Sequence, residues 1–221
     1  MGVEETTKMY KKGLKDPFSA LSHLLGVVLS MAGTVILLQQ SDKPMDRLAL
    51  AIFGASLVCL YAASTIYHAL DVSEKVNLIL RKIDHAMIYV LIAGTYTPMC
   101  LIALKGAWGT ALLITIWAIA LAGIALTLLW FDAPRWLTTS IYVLMGWLVI
   151  VATVPLKQTV GMAGLAWLLA GGILYTIGAV IYATKRPHIT FSIVGFHEIF
   201  HVFVLGGSLC HYILMLKYLP Y

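Results

Sequence analysis

Residues 195–221 read "GFHEIFHVFVLGGSLCHYILMLKYLPY". The run is largely apolar and long enough to cross a bilayer, which takes about 20 residues as a helix. Yet it opens with His197, Glu198 and His201, whose letters H-E-I-F-H match the HExxH of zinc proteases. Three readings stand at this point: a protease site, another metal site, or a polar patch on a helix. Where that helix lies decides among them.

The rest of the chain is built for lipid. Of 221 residues, 61% are apolar and only 11% charged, against about 25% charged in a soluble domain. This composition excludes a soluble globular fold and points to an all-α, polytopic membrane bundle. Cys59, Cys100 and Cys210 each sit alone within apolar runs, which fits small hydrophobes rather than disulfides or thiolate metal ligands. The excess of 15 Lys and Arg over 10 Asp and Glu reads as a topology signal, not as a nucleic-acid footprint.

Seven apolar segments of spanning length fall at about 18–38, 48–69, 83–104, 109–130, 136–155, 161–183 and 192–216. Residues 1–17 form a charged segment without an evident cleavage site, so the first span reads as a retained helix. The connections are short, leaving one transmembrane domain over 18–221. With the N-terminus in the cytoplasm, that side carries Lys8, Lys11, Lys12, Lys15, Lys75, Arg81, Lys82, Arg135, Lys185 and Arg186. The other side carries Lys43, Arg47, Lys105, Lys157 and Lys217. The bias predicts a cytoplasmic N-terminus and an outside C-terminus. Trp108, Trp130, Trp136, Tyr218 and Tyr221 lie near predicted span ends, as interfacial aromatics do.

Ionisable groups inside a membrane need a partner or a task. Here they fall at the start of span one (His23), the end of span two (Ser64, His68), the start of span three (Asp84, His85) and the start of span seven. Alternating spans bring all four places to the same side, so His23, His68, Asp84, His197 and His201 are predicted to share one depth near the cytoplasmic face. His197 and His201 stand on one helix face and can ligate one metal. His68 would complete a three-histidine set, which with a water is the open arrangement of catalytic zinc. Asp84 could bind that water or the metal, and Ser64, four residues before His68, can face the same pocket.

Glu198 reads best as an interfacial carboxylate favoured by the helix N-terminus, although its spacing alone leaves the protease role open. His85 is expected against a loop or headgroups, and His188, in "KRPH", at the surface. His211 lies ten residues past His201, about 15 Å along a helix, too far for the same metal, and is expected to be structural.

The combination of "STIYHAL", "LRKIDHAMIYVLIAGTYTP" and "GFHEIFHVFVLGG" in a seven-span chain resembles the hemolysin III family, the bacterial branch of the progestin and adiponectin Q receptor superfamily. The likeness runs over essentially the whole chain. It implies a multi-pass protein of the bacterial inner membrane, with zinc near the cytoplasmic side. It also implies His68, His197 and His201 as ligands, with Asp84 and Ser64 near the metal's water. The family's first motif has a Glu and an Asn ahead of its histidine. This chain has Asp16 and Ser19 ahead of His23, which stays a candidate behind the ligands.

Two activities fit such a site. A zinc-activated water attacks a lipid amide or ester, with Asp84 as general base and Ser64 as hydrogen-bonding partner; related receptors and alkaline ceramidases imply a ceramide-like amide. Alternatively, zinc staples spans two and seven in a protein that senses or regulates membrane state. The family name implies a third, membrane lysis. A transport path is poorly supported because the charged groups cluster on one side. Membrane lipids are the expected partners, and nucleic acid is not.

Overall fold

The computed structural model describes residues 14–130, 133–188 and 195–221. Helices α1 (Pro17–Leu38), α2 (Pro44–Ala69), α3 (Glu74–Pro98), α4 (Ala107–Leu129), α5 (Arg135–Trp147), α6 (Thr153–Thr184) and α7 (Phe196–Tyr218) follow one another. A π-helical turn over Met99–Ala103 extends α3, and a 3-10 turn over Leu148–Ala152 joins α5 to α6. Most of the segment expected over 1–17, and residues 192–194 of the last expected span, lie outside the described residues.

The helix starts follow ordinary rules. Proline opens α1 and α2, where a missing N–H costs nothing. The Ser73 hydroxyl caps α3 by accepting the Val76 N–H at 3.3 Å, and Glu74 stands in its first turn. That cap starts α3 at Glu74 rather than at 83, because "EKVNLILRK" continues the helix beyond its apolar part. The turn before α4 needs Gly106, whose φ of 89° is costly for any other residue.

Six helical stretches among the described residues have the length and composition to cross a membrane. One of them, Arg135–Thr184, runs 50 residues. The connection expected at "PLKQTVG" is instead helical as far as Val160, because Pro155 sits in the first turn of α6, where it is tolerated. Helical geometry breaks at Gly161, with φ 70° and ψ 179°, a region open essentially to glycine alone.

The helices form a ring in chain order. α1 packs on α2, α2 on α3, α3 on α4 and α6 on α7, while α7 returns to α1. α3 is the most buried of the spanning helices. Leucine, isoleucine and valine side chains cover the outside, as a surface in contact with lipid requires, so the protein is an all-α membrane-spanning bundle.

Inside, several polar groups find partners within the bundle, as a medium without water favours. Thr95 and Thr97 donate to the carbonyls of Leu91 and Ala93. The Tyr96 hydroxyl fills the gap where α5 leaves helical geometry. It donates to the Gly146 carbonyl at 2.7 Å, shared with Met145 at 3.0 Å, and accepts the Val149 N–H at 2.8 Å.

Candidate metal centre

The last turn of α2 and the first two turns of α7 meet on one side of the bundle. Gly195 is the N-cap of α7, and its N–H donates to the Glu198 carboxylate at 2.8 Å, which helps set the helix entry. The other Glu198 oxygen accepts from the Ser19 hydroxyl of α1 at 3.1 Å. Both oxygens thus hold the start of α7, in keeping with the carboxylate expected at this helix N-terminus.

With α7 so anchored, His197 and His201 project from successive turns toward α2. The Nε2 atoms of His68 and His197 stand 3.1 Å apart, as do those of His197 and His201. Donor atoms of all three lie within 4.8 Å of one another. Two imidazole nitrogens about 2.0–2.1 Å from one tetrahedral zinc are roughly 3.3–3.4 Å apart, so the observed convergence matches ligands around a single ion. His68 and His201 are almost fully buried. Three imidazoles, two of them buried, aiming ring nitrogens at one point have no mutual hydrogen-bonding scheme that suits them all. A cation resolves that.

Behind the set stands His23 of α1. Its ring lies flat on that of His201, with centroids 3.7 Å apart and planes 10° from parallel, and it meets Tyr61 edge-on at 5.0 Å. Both its ring nitrogens are buried without a hydrogen-bond partner among the described residues.

His197 and His201, with His23, line a cavity between α3, α5, α6 and α7 with about 160 Å³ open to the centres of water-sized molecules, and His68 stands behind them. His23, His197, His201, Ser64 and Asp84 all line it. Asp84 is not among the converging donors; it stands on the cavity wall with Ser64. Farther in, the lining turns mainly apolar with Leu91, Met99, Val149 and Leu168.

His85 departs from expectation. Its ring faces inward, 3.4 Å from the Tyr182 hydroxyl, and lines the cavity instead of meeting headgroups. Because α3 starts so early, His85 lies well inside the helix. His211 is buried with Nε2 at 3.2 Å from the Leu168 carbonyl, and His188 is exposed beyond α6.

One participant escapes sequence reasoning. The Asp16 carboxylate accepts the His68 Nδ1–H at 2.9 Å. The spacing Asp16–Ser19–His23 points toward a trio on α1. In the structure Asp16 serves α2, Ser19 serves α7, and only His23 packs on a ligand.

Comparison with known proteins follows the same outline. A family model described as haemolysin-III related matches residues 12–212. The chain is 40% identical over 203 residues to a hemolysin-3 homolog of Bacillus subtilis (strain 168), covering 90% of this chain and 92% of that one. It is 36% identical over 219 residues to hemolysin-3 of Bacillus cereus, covering 98% and 97%. A human monocyte to macrophage differentiation factor is 25% identical over 203 residues, covering 90% and 82%. No solved structure gives a significant match.

Proposed function

This chain belongs to the haemolysin-III-related family, and on that footing we propose that it is a zinc protein that hydrolyses lipid amides or esters within the membrane. It is a multi-pass membrane protein related to bacterial homologues, in keeping with a bacterial inner membrane. The observation that carries the reading is the convergence of three imidazoles at the end of a largely apolar cavity whose wall also holds a carboxylate and a hydroxyl.

His68, His197 and His201 hold the ion. When bound, zinc supplies Lewis acidity and makes water a nucleophile near neutral pH. Asp84 receives the proton of the attacking water at its carboxylate, and the Ser64 hydroxyl orients that water by hydrogen bonding. The apolar part of the cavity holds an acyl chain and keeps bulk water away, which strengthens each polar contact at the reacting end. A ceramide-like amide fits these demands. His23 supports His201 from behind.

The finer topology belongs to the same reading. Seven crossings follow if Arg135–Thr184, about 75 Å long at 1.5 Å per residue, crosses twice around the break at Gly161. The Lys and Arg bias supports a cytoplasmic N-terminus and an outside C-terminus. Kinship with progestin and adiponectin Q receptors is part of the proposal.

A second reading has its own observation. The three histidines tie α2 to α7 while α1 is bound to both, which suits a structural ion in a protein that senses membrane state. Lysis, the activity named in the Bacillus relatives, rests on those names.

The test begins with elemental mass spectrometry on protein purified in mild detergent, beside His197→Ala. Zinc at about one per chain, lost in the variant, is expected. Loaded protein is then offered ceramide and phospholipid in mixed micelles while released fatty acid is measured. Release no greater than that of Asp84→Asn would overturn the hydrolase and leave the structural ion.

A further inference from the structure

Asp16 occupies the N-cap of α1, yet its side chain makes no capping hydrogen bond to its own helix. An aspartate there ordinarily accepts from the helix's first N–H groups and stabilises the helix. Asp16 forgoes that bond and contacts one residue of α2 twice. Its N–H donates to the His68 carbonyl at 2.8 Å, and its carboxylate accepts the His68 Nδ1–H at 2.9 Å. Lys15 reinforces the clasp: its N–H donates to the Ala69 carbonyl at 3.4 Å and its ammonium sits 4.0 Å above the Tyr67 ring.

The consequence for His68 is geometric. An ionised carboxylate only accepts, so Nδ1 carries the proton and Nε2 keeps its lone pair. The bond along Nδ1 also fixes the ring's rotation, and the opposite nitrogen then faces the Nε2 of His197. Among the described residues His201 has no carboxylate on its Nδ1, and its ring stacks on that of His23. Of these two ligands, one is aimed by a carboxylate and the other by a ring.

We infer that Asp16 is the positioning residue of the metal centre, holding the His68 imidazole in its Nδ1–H tautomer with Nε2 directed at the ion. The inference rests on the zinc reading above and adds to it a residue outside the ligand set. A merely half-exposed pair between the two side chains would add little to folding and nothing to metal affinity. Outer partners of ligating histidines behave differently: their loss weakens metal binding about 10–100-fold.

The test measures zinc affinity by chelator competition on full-length protein in detergent. Variants are Asp16→Ala, Asp16→Asn and Ser19→Ala. Asp16→Ala is expected to raise the zinc Kd about 10–100-fold. Asp16→Asn, whose amide oxygen still accepts from Nδ1–H, is expected to recover most of the loss, and serves as the informative variant if the alanine form does not fold. Ser19→Ala cuts another tie between α1 and the site, its bond to Glu198, and is expected to weaken zinc binding clearly less than Asp16→Ala. A Kd for Asp16→Ala within about twofold of wild type, far below the effect expected of an outer partner, overturns the inference. So does an equal loss in Ser19→Ala, which would mean that α1 docking matters and the aim of His68 does not. Wild-type protein without zinc removes the parent reading and this one together. A loaded wild type with an equally loaded Asp16→Ala removes this one alone.

Discussion

His23 lies flat against His201, the two imidazoles 3.7 Å apart at their centroids and 10° from parallel. The proposed ligand His201 thereby rests against a neighbouring ring inside the bundle. His23→Ala should open a cavity behind His201 and lower stability by about 2 kcal/mol or more, with zinc held less tightly. His23→Phe keeps a ring on that face and should recover both, as read by thermal unfolding in detergent with and without chelator. Equal loss in the two variants would show that the imidazole nitrogens matter, not the stacking.

Asp84 and Ser64 face the cavity without belonging to the converging donors. Asp84→Asn should therefore keep its zinc and lose hydrolysis by about 10²–10⁴-fold, the usual scale for a general base. Ser64→Ala should keep its zinc and lose less. Loss of metal in Asp84→Asn would place the carboxylate among the ligands.

Tyr96 stands in for the backbone where α5 gives way to the 3-10 turn. Tyr96→Phe takes the hydroxyl from the Gly146 carbonyl and the Val149 N–H in a poorly hydrated interior, while the Met145 carbonyl keeps the Leu148 N–H, at a cost of about 1–3 kcal/mol. A fall in melting temperature with faster amide exchange around Met145–Val149 would bear this out. An unchanged melt would mean that water takes the place of the hydroxyl.

Two glycines should respond in opposite ways. A Cβ at Gly109 would run into the backbone carbonyls of Leu104 and Cys100, which cannot yield as a side chain does. Gly109→Ala is expected to cost about 3 kcal/mol. At Gly146 nothing lies within 4 Å of the added carbon, and alanine there should gain about 0.5–1 kcal/mol through lower backbone entropy. Thermal unfolding of the pair checks both signs.

Much of the site is legible in the sequence because transmembrane helices alternate in direction. That rule alone puts His23, His68, Asp84, His197 and His201 at one depth, and the i, i+4 spacing aligns the last two histidines. What depth cannot reveal is contact across chain ends. Asp16 meets His68 from 52 residues away, and Ser19 meets Glu198 across 179. Both bonds depend on how the start of α1 folds over its neighbours, which no local pattern encodes. Helix extent was also hidden in part. Apolarity marks where a helix contacts lipid, so the polar first turns of α3, and the helix running through "PLKQTVG", carry little signal despite being helical.

The donors come from both ends of the chain, with His68 and His197 separated by 129 residues. At a synthesis rate of about 5–20 residues per second, α2 waits on the order of ten seconds before α7 exists. Throughout that interval His68 has Asp16 but neither of the other two converging imidazoles. On the zinc reading proposed above, the ligand set is therefore incomplete until α7 is made, and loading becomes the closing step of biogenesis. A chain cut short before α7 would also lack the helix against which α6 packs. Metal content would then separate finished copies from aborted ones.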